Sequence, residues 1–104
     1  MTLATRSLML AVLALAPGLA HASSGDAWEQ MRADISKKCI AAVGGSMEKP
    51  KAVVDPFGSE HFGLALVSGK AKGAKATITQ ICVYDKKAKT VELGSELTKD
   101  MLKN

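Results

Sequence analysis

The chain encodes a small α+β domain, in which an N-terminal helix packs on a four-stranded antiparallel meander. One disulfide joins helix to sheet, and a short helical tail closes the chain. Three observations predict this. An apolar stripe of helical period is confined to residues 26–45; four β-rich segments follow, separated by short polar stretches; and the chain carries two cysteines, one on the stripe and one in the strongest strand.

Ahead of the domain, residues 1–22 read as a cleaved signal peptide. Arg6 supplies a positive start and Pro17-Gly18 breaks the helix before LAHA. Ala20 and Ala22 occupy the small-residue positions of a cleavage site, placing the cut after Ala22. The apolar run SLMLAVLALA, about ten residues, falls short of the roughly 20 that span a bilayer. The mature chain, residues 23–104, is therefore expected to be one exported domain, periplasmic or secreted, with no transmembrane segment. Loss of Arg6 leaves 13 of the 14 Lys and Arg against 10 Asp and Glu, a net charge of +3. That mild excess, with Trp28, Phe57, Phe62 and Tyr84 as the only aromatics, lacks the dense basic stripe and stacking platform of a nucleic-acid binder.

In DAWEQMRADISKKCIAAVGG (26–45), Trp28, Met31, Ile35, Cys39 and Ala42 recur at spacings of 3, 4, 4 and 3 and share one helical stripe. Asp26 and Glu29 have capping-box spacing, and Gly44-Gly45 offers the left-handed residue that ends a helix. SMEKP reads as a polar connector. KAVVD (51–55), HFGLALVSG (61–69), KATITQICVY (75–84) and KTVEL (89–93) read as strands. KAKGA and DKKA between the last three are short enough for hairpins. In SELTKDMLKN a helical turn or two is expected, with Ser95 as cap and Leu97 and Met101 facing inward. Cys39 and Cys82, 43 residues apart in an exported chain, are expected to pair as a structural disulfide. One difficulty stands in the third strand. If Cys82 faces the helix, so does Gln80, while Ile81 and Val83 face away; either Gln80 is buried with a partner or a bulge resets the register, and a second layer over the other face would also account for Ile81 and Val83.

The stretch VDPFGSEHFG (53–62) is the candidate site. Asp55-Pro56 suits a turn corner and Gly58 permits positive φ. A turn carrying no chemistry is one reading; a recognition loop is the other, with Phe57 as an apolar anchor and Ser59, Glu60 and His61 as partner-binding neighbours. A catalytic set is not signalled. His61 is the one histidine left after export, adjacent strand residues face opposite ways, and nothing marks an oxyanion hole. No metal-ligand spacing surrounds His61, and no cofactor motif occurs. Lys70, Lys72 and Lys75 mark one hairpin; Lys86, Lys87 and Lys89 mark the next, at the opposite end of a meander. The first group is the candidate contact for an anionic surface. The expected function is therefore a non-enzymatic binding module with a protein partner, such as an inhibitor, immunity or accessory factor. The alternative is a lysine-mediated binder of anionic lipid or polysaccharide, and a third reading is a small His61-centred enzyme or metal carrier.

Overall fold

A computed structural model describes residues 24–103. The signal peptide assigned to residues 1–22 lies outside the described residues. Helix α1 (Ser24–Val43) leads through a 3-10 turn (Gly44–Ser46) into strands β1 (Met47–Val54), β2 (Phe62–Ala71), β3 (Thr77–Asp85) and β4 (Val91–Thr98), followed by one turn of helix, α2 (Lys99–Leu102). The four strands form an antiparallel sheet in sequence order. Among the described residues no helix is long and apolar enough to cross a membrane.

The predicted architecture is the observed one, including the Cys39–Cys82 bridge from α1 to β3, with a Cα–Cα distance of 5.9 Å. A disulfide fits an oxidising compartment. Closing a loop with a sequence separation of 43 contributes about 4 kcal/mol in the chain-entropy model. That is large beside the core it fastens. Ile35, Cys39, Val43, Met47, Ala65, Val67, Ile78, Cys82 and Tyr84 form the buried apolar core, with Met31, Val54 and Leu93 packed at its margin.

The helix begins at Ser24, so Asp26 lies in its first turn rather than capping it. Gly44 takes the left-handed conformation (φ 56°) that ends it. Val43, four residues beyond Cys39, is buried where Ala42 was expected, and Trp28 is only half-buried.

Two strands are longer than their sequences suggest, and both extensions run through bulges. The connector reading of SMEKP is wrong: Met47 and Glu48 pair with Ala71 and Lys70, and Met47 is buried. The register shifts between Glu48 and Lys51, where Lys49 adopts φ 48° and Pro50 sits on an edge strand. Gly69 opposes the bulge; a Cβ there would lie 3.0 Å from Glu48 O and 3.3 Å from Pro50 Cα. The helical reading of the tail is wrong from Ser95 to Thr98. These residues continue β4 past a bulge at Gly94-Ser95, opposite Ile81. Ser95 caps nothing, Met101 is 65% exposed, and only Lys99–Leu102 is helical. The difficulty at Gln80 resolves through the same bulge. Gln80 is half-buried, and its Nε2 donates to the Gly94 carbonyl at 2.9 Å.

The sheet meets α1 with its small residues. Along β2, Gly63, Ala65 and Val67 are buried toward the helix, while Phe62 and Leu66 are exposed on the other side. Spacing of this kind sets how near the helix axis lies. A Cβ on Gly63 would overlap Ile35 Cδ1 and come within 3.1 Å of Tyr84 Cδ1. Gly63→Ala is therefore expected to destabilise the oxidised domain by about 1–3 kcal/mol through overpacking. Ile35→Val added to it should recover part of that loss, and urea unfolding of the double-mutant cycle reads the coupling. Additive losses would mean that Ile35 and Gly63 do not set the helix–sheet distance.

Candidate recognition site

The 55–61 segment joins the edge strand β1 to β2, beside the N-terminal half of α1. Its first corner is an Asx turn. Asp55 Oδ1 accepts the backbone N–H groups of Phe57 (3.1 Å) and Gly58 (3.0 Å), while Asp55 N–H donates to Leu64 O at 2.8 Å. Gly58 has φ 71° and lies so close to Phe62 that a side chain there would strike the Phe62 carbonyl. Ser59 closes the turn: its N–H donates to Phe62 O at 2.8 Å, and its Oγ accepts the Phe62 N–H at 3.2 Å.

Three side chains from elsewhere hold this turn down. Lys86 Nζ, from the β3–β4 connection, donates to the carbonyls of Phe57 (2.9 Å) and Ser59 (2.6 Å). The same ammonium stands 5.2 Å from the Trp28 ring centroid, within cation–π range. Arg32 donates to Pro56 O at 3.0 Å. The Trp28 and Phe57 rings meet edge to face with centroids 5.1 Å apart. Phe57 nevertheless keeps 58% of its surface in solvent. It neither folds into the core nor hangs free; it stands on Trp28.

Of the four residues assigned to partner binding, the structure treats each differently. Phe57 is displayed. Ser59 is turned to the loop's own backbone. Glu60 and His61 have side chains 88% and 77% exposed, with 3.9 Å between Glu60 Oε1 and His61 Nε2, too long for a hydrogen bond. Among the described residues no three His, Cys, Asp or Glu side chains gather as metal ligands. The lysines assigned to an anionic surface also divide. Lys70 is paired with Glu48 at 3.0 Å, whereas Lys72 and Lys75 are exposed. Trp28, Arg32 and Lys86 belong to the site, and the sequence marks none of them as such.

Beside the loop, Asp34 on α1 and Tyr84 on β3 form a part-buried polar pair. The Tyr84 hydroxyl donates to Asp34 Oδ2 at 2.6 Å, and Lys38 Nζ lies 3.1 Å from the same oxygen. Lys38 also donates to Lys89 O at 2.8 Å, tying the helix to the second hairpin. These groups line an open groove of about 580 Å³ with Gln30 and Lys86. Comparison with protein families, curated proteins and solved structures finds no match to the chain.

Ionisation is tuned on both sides of neutrality. Burial, then the Asp34 bond and charge, push the Tyr84 phenol up to about 12. Asp34 is held below the ordinary carboxylate range by the Tyr84 hydrogen bond and then by Lys38. Asp55 is held low by the Gly58 and Phe57 N–H groups, and Asp85 by those of Ala88 and Lys87. A depressed carboxylate contributes stability above its unfolded pKa, and that contribution is lost as pH falls through the carboxylate range. A raised tyrosine contributes stability below its unfolded pKa of 10.0, lost as pH rises from there to about 12. The urea midpoint should therefore hold between about pH 5 and 9 and fall on either side. The chain has a single tyrosine, so tyrosinate absorbance reads Tyr84 directly. Titration should centre near 12 and move down in Asp34→Asn; a midpoint at 10 in the folded protein would contradict the burial and the Asp34 contact.

Proposed function

We propose that the chain is a non-enzymatic periplasmic or secreted binding module, an inhibitor, immunity or accessory factor, that engages a protein partner through the 55–61 loop. The observation that carries this reading is Phe57, 58% exposed on a turn whose backbone is bonded at both corners and clamped by Lys86 and Arg32. A pre-ordered loop loses little conformational freedom on binding, and an aromatic backed by a second aromatic suits the centre of an interface. Glu60 and His61 next to it supply polar groups for the rim. The signal-like N-terminus and the disulfide support the location. His61, in solvent with the Glu60 and Asp85 carboxylates in its neighbourhood, belongs to no metal-ligand group among the described residues and offers little to a catalytic or metal-carrier reading.

A second reading has its own observation. The topology brings Lys49, Lys51, Lys70, Lys72, Lys75 and Lys99 to the end of the sheet that carries the β2–β3 hairpin. Glu48 neutralises one of them, and the remainder suit anionic lipid or polysaccharide.

Capture from the cell-envelope extract of the source organism tests both. Oxidised, C-terminally tagged protein should retain a protein partner through a high-salt wash. Phe57→Ala should weaken that capture by about 30-fold or more, as truncation of a hot-spot aromatic does. Salt-labile anionic material captured equally by Phe57→Ala, and lost in Lys72→Gln/Lys75→Gln, would overturn the loop reading in favour of the lysines.

A further inference from the structure

The sheet face opposite α1 has an apolar, uncovered middle. Across its middle run Val53, Leu66 and Ile81, register partners on β1, β2 and β3, which are 70%, 47% and 44% exposed. Leu64 and Val83, paired with each other, lie half-buried beside them. The β4 bulge turns Leu97 onto the same face, opposite Thr79. A solvated face of an antiparallel sheet ordinarily alternates to polar residues; here they begin only one row out, with Lys51, Ser68 and Thr79, the last two hydrogen-bonded to each other at 2.7 Å, and the middle stays apolar.

We infer that this face is a self-association surface, on which a second copy of the chain packs face to face about a two-fold axis lying along the Val53–Leu66–Ile81 row. Charge placement selects the occupant and the axis. Lys51 and Asp55 flank Val53 two residues to either side on one strand line, since the Asp55 N–H continues the ladder to Leu64 O. Basic groups prevail at one end of the face, where Lys49 and Lys51 stand beside the Lys70–Glu48 pair, and acidic groups mark the other, with Glu92 opposite Val83. A two-fold axis parallel to the strands would put like ends together. An axis across the strands puts Lys51 of each copy over Asp55 of the other, twice, and sets each residue of the apolar row against its own counterpart. Such self-complementarity is what a two-fold interface requires.

The area fits a reversible pair rather than a permanent one. With strands about 4.8 Å apart and a rise of about 3.4 Å per residue, the face from Phe62 to Lys70 measures roughly 20 by 27 Å, on the order of 500 Å² per copy. Burying on the order of 1,000 Å² in total lies at the low end of specific interfaces, so the dissociation constant is on the order of 10 µM or weaker. The 55–61 loop stays accessible in this pair, because Phe57 leans toward α1 on the opposite side of the sheet.

Sedimentation of the oxidised protein, expressed full length in an exporting host, tests the pair. Between about 10 µM and 1 mM the average mass should rise toward that of a dimer. Leu66→Lys, a change at an exposed position, should weaken association by about tenfold or more while leaving the far-ultraviolet spectrum and unfolding midpoint intact. Under mild oxidation Leu66→Cys should cross-link to itself, and Lys70→Cys, far from the axis, should not. A monomer throughout that range overturns the inference, even if a different protein is found to bind the face. So does a dimer indifferent to Leu66→Lys, or one in which Lys70→Cys cross-links as readily as Leu66→Cys.

Discussion

The near approach of α1 to the sheet governs the rest of the molecule. Cys39 and Cys82 fasten the helix over β3, and Gly63 and Ala65 leave it room to sit low. With the helix that low over the start of β2, little space remains there for large inward side chains, and much of the bulk of β2 goes outward as Phe62, Leu64 and Leu66. The same proximity lets the Tyr84 hydroxyl reach Asp34 across the gap and places Trp28 and Arg32 against the loop. A thicker inner layer would break these contacts together. In a core this small, the covalent bridge carries stabilisation that larger domains draw from apolar burial.

On that frame the 55–61 turn is ordered by polar bonds rather than by burial. Asp55 folds the chain onto itself and Ser59 closes it. Lys86 spends its donors on two loop carbonyls instead of on solvent. The hydrophobic part of the loop is thereby freed from structural duty. Phe57 can remain exposed because the turn does not need it in the core, and that separation of roles suits a contact surface. The β3–β4 connection uses the same device, with Asp85 Oδ1 accepting the N–H groups of Lys87 and Ala88.

Much of the fold was legible because it is written in local periodicity. The stripe through Ile35 and Cys39, the alternation of β2 and the β-branched run of β3 each declare their element. The misread strand boundaries fell where a bulge interrupts the period. Pro50 and the left-handed Lys49 disguise the start of β1, and Gly94-Ser95 makes SELT look like a helix start when it is the rest of β4. For the site, Asp55, Gly58 and Ser59 announce a turn, and Phe57 announces a tip. What could not be read is long-range: Arg32, Lys86 and Trp28 converge on the loop through the tertiary fold, from 24 to 29 residues away for the first two. The bare outer face was visible only as the oddity of Ile81 and Val83 pointing away from the helix.

Loop and sheet face lie on different sides of the molecule and ask different things of it, but both depend on a frame that does not yield. The central claim is that the loop is ordered before any partner arrives. Backbone ¹⁵N order parameters of the free, oxidised protein measure this most directly. The Phe57, Gly58, Ser59 and Phe62 amides, each hydrogen-bonded or held by its neighbours, should show values near those of the strands, about 0.85. Values below about 0.6 across these residues would mean a loop that forms only on binding, and would contradict the claim.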